Sequence, residues 1–306
     1  MNYPWLHYGH DFGDTAWGHD GVSSTQSKRE VETDFEYLKT QGVQVVRWFV
    51  FADGRAAPEF DPAGNVTGFD EHFYQDFDAA LAIAENSDIR LLPVFFDFQL
   101  TDKAKDSGGV QMGGRATMIS DSAKRKTFLD NALIPLLQRY GRSEAIVAWD
   151  VINEPEGAMD IAGGRWVEDA VTPEAMKIFV REIVQCIHAH TSQKATVGSA
   201  SRGMLTHWTN SGLDLYQFHY YDKMGGQYPL EYQCANLNLD KPCIVGEFPT
   251  KNAERAVTAY LDVILHNGYS GSLAWSLRGD DDSSDFKGVA SEFVKWSASH
   301  EKEISK

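Results

Sequence analysis

The chain has 306 residues, a net charge of −16 at pH 7 and a sequence pI near 5.0. So acidic a surface repels phosphate backbones and anionic lipid headgroups, which argues against nucleic acid and membrane surfaces as partners and favours a neutral or cationic substrate. An apolar fraction of 42% with 12% aromatic residues speaks against disorder, and no run of roughly 20 apolar residues is present to span a bilayer.

Short apolar runs alternate with amphipathic segments along the chain. The first two runs are Leu6 to Phe12 and Gln44 to Phe51, with Val31, Phe35 and Leu38 at helical spacing between them. Phe73, Phe77, Ala80 and Ala84 mark the next helix, and Ile89 to Phe98 the third strand. A helix over 126–140 leads to Ile146 to Asn153. Thr172 before Pro173 opens a helix to His190, with proline at the first helical position. Then come Ala195 to Ala200, Leu215 to Tyr220 and Cys243 to Glu247, a helix over 253–267, and Gly271 to Ser276. The Val, Ile and Phe content suits parallel strands buried on both faces.

Eight strand–helix repeats predict an α/β protein with a closed (β/α)8 TIM barrel, residues 1–306 forming a single domain. No G-x-G-x-x-G loop follows the first run, which disfavours a dinucleotide-binding sheet. Segments 13–23, 52–70, 100–120 and 155–172, after the first four runs, are long, whereas the turns into strands are short. In a barrel that asymmetry puts the elaborated face at the strand C-termini.

Cys186, Cys234 and Cys243 are too few for a disulfide framework and lack metal-site spacing. Cys234 and Cys243 could pair, but Cys243 opens an apolar run, which favours a buried thiol. Met1 to Trp5 carries no apolar targeting segment, so the expectation is either a cytoplasmic protein or a secreted one with its signal removed.

Two runs end in glutamate. Trp149-Asp150-Val151-Ile152-Asn153-Glu154-Pro155 stops at a proline, which puts Glu154 at a strand tip, and Ile244-Val245-Gly246-Glu247 does the same three strands later. One such glutamate reads as a cap or an ion-pair partner. Two, on strand tips of one barrel, can face each other across a cleft as glycoside hydrolysis requires.

With these motifs the chain resembles clan A of the glycoside hydrolases, the retaining (β/α)8 enzymes that include family five. Supporting the match are Arg47 on the second run, His219-Tyr220-Tyr221 on the sixth and Trp275 on the eighth. The resemblance implies that Glu154 is the acid/base and Glu247 the nucleophile, acting without cofactor or metal on a β-linked glucan or mannan. Asn153 would bond the sugar 2-hydroxyl, Arg47 would hold Glu247 ionised, Tyr221 would orient it, His219 would line the pocket and Trp275 would floor it. Family-five members commonly carry a histidine after the third strand. Here Phe95-Phe96-Asp97-Phe98-Gln99 has none, so Asp97 or Gln99 is expected to contact the sugar.

Aromatic residues near the expected mouth include Trp17, Trp48, Phe51, Phe98, Trp166 and Tyr228. Trp17 and Trp166, in glycine-flanked loops, are the expected subsite residues. The acidic run from Asp280 to Asp285 lacks calcium-loop spacing and reads as a solvated loop. Alternatives are a transglycosylase of the same mechanism, a metal-dependent barrel hydrolase using His7 or His10, and a barrel that binds glycan without cleaving it. His7 and His10 are three apart and would face opposite ways on a strand, which weakens the metal alternative.

Overall fold

A computed structural model describes residues 1–304. Six parallel strands, Val45–Ala52, Arg90–Asp97, Ala148–Asn153, Lys194–Ser199, Tyr216–His219 and Cys243–Glu247, pair with their neighbours in chain order. Two shorter segments complete the ring. Asn2 bridges to Arg47 on one side, and its N–H donates to the Ala274 carbonyl at 2.9 Å on the other; Ser272 bridges to Val245 and Trp275 to Pro249. The result is the (β/α)8 barrel expected from the alternation.

The first stave lies earlier than expected. Tyr3 N–H donates to Arg47 O, and Arg47 N–H donates to Met1 O, both at 2.9 Å. Residues 6–12 instead form turns around Asp11. Its buried carboxylate accepts the Leu6 and His7 backbone N–H groups at 2.7 Å and the Trp48 indole N–H at 2.8 Å. A short acidic side chain has taken the donors that a strand ladder would use.

The helices follow the apolar spacing, with caps at their starts. Ser24 caps Thr25–Thr40, Asp70 caps Glu71–Asn86, and Thr172 accepts from Ala175 N–H ahead of Pro173–His190. The helix expected at 126–140 runs from Ser122 to Tyr140, with a π turn at Leu129–Leu133 just ahead of Pro135. Proline cannot donate to the carbonyl four residues back, so the ladder shifts there. Val257–His266 is shorter than expected. The connection after Lys194–Ser199 is a 3-10 turn, Arg202–Trp208, and the next holds only the turns Asp222–Met224 and Cys234–Leu237. An additional helix, Phe286–Ser299, lays Val289, Phe293 and Trp296 against the core.

Side chains alternate across each strand. On Val45–Ala52, Val46, Trp48 and Val50 join the layer between barrel and helices, where Trp48 packs on Tyr3, Phe12 and Phe35. Val45, Arg47 and Phe49 point inward at rising height. Val45 meets the apolar floor of Leu92, Ala148 and Leu273, Arg47 occupies the middle, and Phe49 reaches the cleft. Two hairpins, Glu59–Phe60 with Val66–Gly68 and Lys105–Ser107 with Val110–Met112, sit in the loops after the strands ending at Ala52 and Asp97. The elaborated face is therefore the strand C-terminal one. Cys186, Cys234 and Cys243 are free thiols, Cys243 fully buried. Among the described residues no helix is long and apolar enough to cross a membrane.

Candidate active site

Glu154 follows the Ala148–Asn153 strand directly. Its backbone turns left-handed at φ 45° while its N–H still donates to Gly198 O at 2.6 Å. A non-glycine residue there costs on the order of 1 kcal/mol or more, and such positions cluster at functional sites. Glu247 ends its own strand and is buried. One carboxylate oxygen of each glutamate and a ring nitrogen of His219 all lie within 4.8 Å of one another.

Arg47 organises this group from below. It is fully buried. Nη1 donates to Glu247 Oε1, Nε to Asp150 Oδ2 and Nη2 to Asn153 Oδ1, each at 2.9 Å. Arg47 therefore neutralises buried Asp150 and holds Glu247 as well. The strand opposite makes room for the guanidinium at Gly198, where a Cβ would stand 2.6 Å from Nη2. Asn153 donates from Nδ2 to Asp97 Oδ2 at 2.9 Å. Tyr221 donates to Glu247 Oε2 at 2.8 Å.

His219 Nδ1 lies 2.9 Å from Glu154 Oε1 and 3.4 Å from Glu247 Oε1, while its Nε2 is buried without a partner. The ring proton therefore belongs on Nδ1, facing the two acids. Burial pushes the imidazole down to about 4, so it is neutral in working conditions.

The two carboxyl groups differ in what holds them. Burial pushes Glu154 up to about 7, against a weaker pull from Arg47 and Lys223. Burial also raises Glu247, but the His219 ring N–H facing it, the Arg47 charge and the Tyr221 hydrogen bond oppose it. Both Glu247 oxygens have donors that favour the charged form, whereas Glu154 has one imidazole. The surroundings of Glu247 thus favour its charged form more than those of Glu154 do.

The group opens into a cleft of about 640 Å³. Glu154, Glu247, Asn153, Tyr221, Trp275, Asp97 and Trp166 line it, with Arg47 and His219 immediately beneath. Trp166 is 49% exposed and free to meet a ligand. Trp17 is also exposed but stands outside the cleft lining, its indole N–H tied to Ser107 O at 2.8 Å and the Arg55 guanidinium 5.9 Å from its ring. Trp48 and Phe51 are core residues, not mouth residues. The acidic run does more than face solvent: Asp281 accepts the Trp275 indole N–H at 2.7 Å, and Asp285 caps the last long helix. Trp5, Tyr8, Phe49 and Lys223 line the cleft without having been singled out by sequence. Trp5 and Tyr8 follow the displaced first stave, which is what hid them. A second cavity, of about 530 Å³ and largely apolar, lies at the opposite end of the barrel beside Leu92, Ala148 and Leu273 and holds none of these groups.

Glu154, His219 and Glu247 are the one group among the described residues close enough to ligate a metal ion. Both Glu247 oxygens are already engaged by Arg47 and Tyr221, and a guanidinium at 2.9 Å repels a second cation. This donor set suits carboxylate chemistry better than metal binding.

The sequence model of the cellulase family, glycosyl hydrolase family 5, matches residues 9–281. The chain belongs to that family. It is 25% identical to a mannan endo-1,4-beta-mannosidase of Mytilus edulis over 90% of this chain and 82% of the relative, and 25% identical to the Cryptopygus antarcticus protein of the same name over 93% and 81%. Its fold is similar to the crystal structure of an endo-1,4-beta-mannanase from Eisenia fetida, with TM-score 0.82, 24% identity, and 97% of this chain and 90% of that one covered. This family member is a retaining β-glycoside hydrolase.

Proposed function

We propose that the enzyme cleaves the backbone of a β-1,4-linked mannan by double displacement, with Glu154 as acid/base and Glu247 as nucleophile. The observation carrying the residue roles is the asymmetry of the pair: Glu247 is gripped on both oxygens, and Glu154 is half-buried with its pKa raised to about 7. The mannan assignment draws on the names of the relatives. Residues 1–306 would act as one catalytic domain.

In the first step Glu247 attacks the anomeric carbon and the glycosidic C–O bond breaks. Glu154 gives its proton to the departing oxygen. One oxygen of each carboxyl group lies within 4.8 Å of the other, an approach compatible with the ~5–5.5 Å carboxyl separation of retaining enzymes. In the second step Glu154, now a carboxylate, takes a proton from water as the water attacks the glycosyl ester and frees Glu247. Esterification removes the Glu247 charge, which lets Glu154 lose its proton more readily. Asn153 binds the 2-hydroxyl of the reacting sugar, Asp97 beside it contacts the same sugar and Trp275 floors it, while Trp166 contacts the neighbouring part of the glycan chain. Trp17 is assigned only to a distal contact, since it stands outside the cleft.

The test is a panel of β-1,4-mannan, cellulose, xylan and β-1,3-glucan, with and without chelator, with products read by mass. The expected result is chelator-resistant release of oligosaccharides from mannan. Preference for a glucan or xylan would overturn the substrate, and loss of activity with chelator would overturn the mechanism.

A further inference from the structure

Tyr8 has an unusual hydroxyl. It is buried in the cleft wall, facing the Asp97 carboxyl group without a well-formed hydrogen bond to it or to any other group. A buried donor left unpaired costs about 1–3 kcal/mol, so such a group is expected to find its partner in a ligand. The ring around it cannot easily turn away. The Arg55 guanidinium sits 4.9 Å from its centroid and the Trp5 ring packs edge-on at 4.9 Å. Arg55 is itself fixed by two bonds to buried Asp53, at 2.9 and 2.8 Å. Burial, with the Asp97 and Asp53 carboxylates nearby, holds the phenol well above its ordinary pKa, so it remains a donor.

Asp97 lines the same wall. Its Oδ1 accepts from Gln99 N–H and its Oδ2 from Asn153 Nδ2, both at 2.9 Å. A carboxyl group has about four acceptor positions, so capacity remains. Tyr8 and Asp97 thus offer a fixed donor beside an acceptor, next to Asn153.

We infer that Tyr8 and Asp97 together recognise the 3-hydroxyl of the sugar whose glycosidic bond is broken. This rests on the proposed function, in which Asn153 holds the 2-hydroxyl; the pair adjoining Asn153 then meets the next hydroxyl along the ring. A β-1,4 chain leaves that hydroxyl free on every internal sugar. A 1,3-linked or 3-O-acylated sugar has no hydrogen there and adds bulk, so the pair selects linkage and rejects 3-O-decoration at the cleavage point. A site built to bond a hydroxyl discriminates strongly against its absence, because its own polar groups are then left unpaired.

The experiment compares wild type and Tyr8→Phe on two substrates: 4-nitrophenyl β-1,4-mannobioside and its analogue deoxygenated at C3 of the aryl-bearing sugar. Wild type is expected to lose about 30-fold in kcat/KM on the deoxy analogue and Y8F about tenfold on the parent, while Y8F loses only about threefold more on the analogue. That coupling is one a merely structural role for Tyr8 would not produce. Equal factors for wild type and Y8F on the two substrates would overturn the inference. So would wild type cleaving the deoxy or a 3-O-acetyl analogue at the parent rate, a result that needs no variant. A wild type active on a glucoside but not on the mannoside would overturn the substrate reading, whereas full activity on the parent without coupling would overturn only the role of Tyr8.

Discussion

The Tyr221 hydroxyl donates to Glu247 Oε2 at 2.8 Å while Arg47 Nη1 holds Oε1 at 2.9 Å. Removing the phenol takes away one bond to the charged form, so the Glu247 pKa rises. Tyr221→Phe should move the acidic limb of the kcat/KM profile upward by about one pH unit. A pH profile of the variant checks this, and an unmoved limb would remove Tyr221 from its orienting role.

Glu247→Ala should lower kcat by at least about 10⁴-fold with folding intact. Glu154→Ala should slow mannan far more than a dinitrophenyl glycoside, because a good leaving group needs little proton donation. Equal slowing on both would count against Glu154 as the acid.

Stability should fall as pH rises from 5 to about 7. Burial raises Asp11 to about 6, and Asp97, Glu154 and Glu156 to about 7. Each folded-state value lies above the ordinary carboxylate value. The folded chain therefore keeps protons that the unfolded chain has released, and stability present in acid is lost as pH rises through 6 to 7. His219 and the buried Met1 amino group, each pushed down to about 4, work the other way, as do His10 and His207, whose values burial also lowers; the four acids dominate only below about pH 7, and above it the amino group opposes any further fall. Thermal unfolding across pH reads the slope. Glu156→Gln, which preserves the acceptor for Ala200 N–H at 2.8 Å, should make it shallower.

Arg47→Met leaves Asp150 and Glu247 buried without their cation. It should destabilise the fold by about 3–5 kcal/mol and abolish turnover. Arg47→Lys should recover part of the stability but little activity, because an ammonium lacks the planar fork that reaches Asp150, Asn153 and Glu247 together. Denaturant midpoints beside kcat measure the two effects; a Lys variant with normal kcat would show that charge alone suffices.

The parts of the site carried by long strands were readable in sequence. Asn153, Glu154 and Glu247 stand where apolar runs stop, and Arg47 interrupts one such run at an inward position. The first stave was not readable, since it pairs through single bridges and its successor, 6–12, carries as much apolar and aromatic character. Trp5 and Tyr8 were lost with it. Trp17 looked equivalent to Trp166 because both lie in glycine-flanked loops, and only the tertiary placement of the 105–112 hairpin distinguishes them. The role of Asp281 depends on an indole six residues away folding back onto it, which composition cannot reveal.

Asn2 bonds to the carbonyls of Leu273 and Ala274, more than 270 residues further along the chain. The ribosome releases one of these edges long before it makes the other. Arg47 can find Asp150 as soon as that strand is out, but Glu247 and Trp275 are made long afterwards, so the barrel seals and the hydrolytic pair comes together as one later event in synthesis.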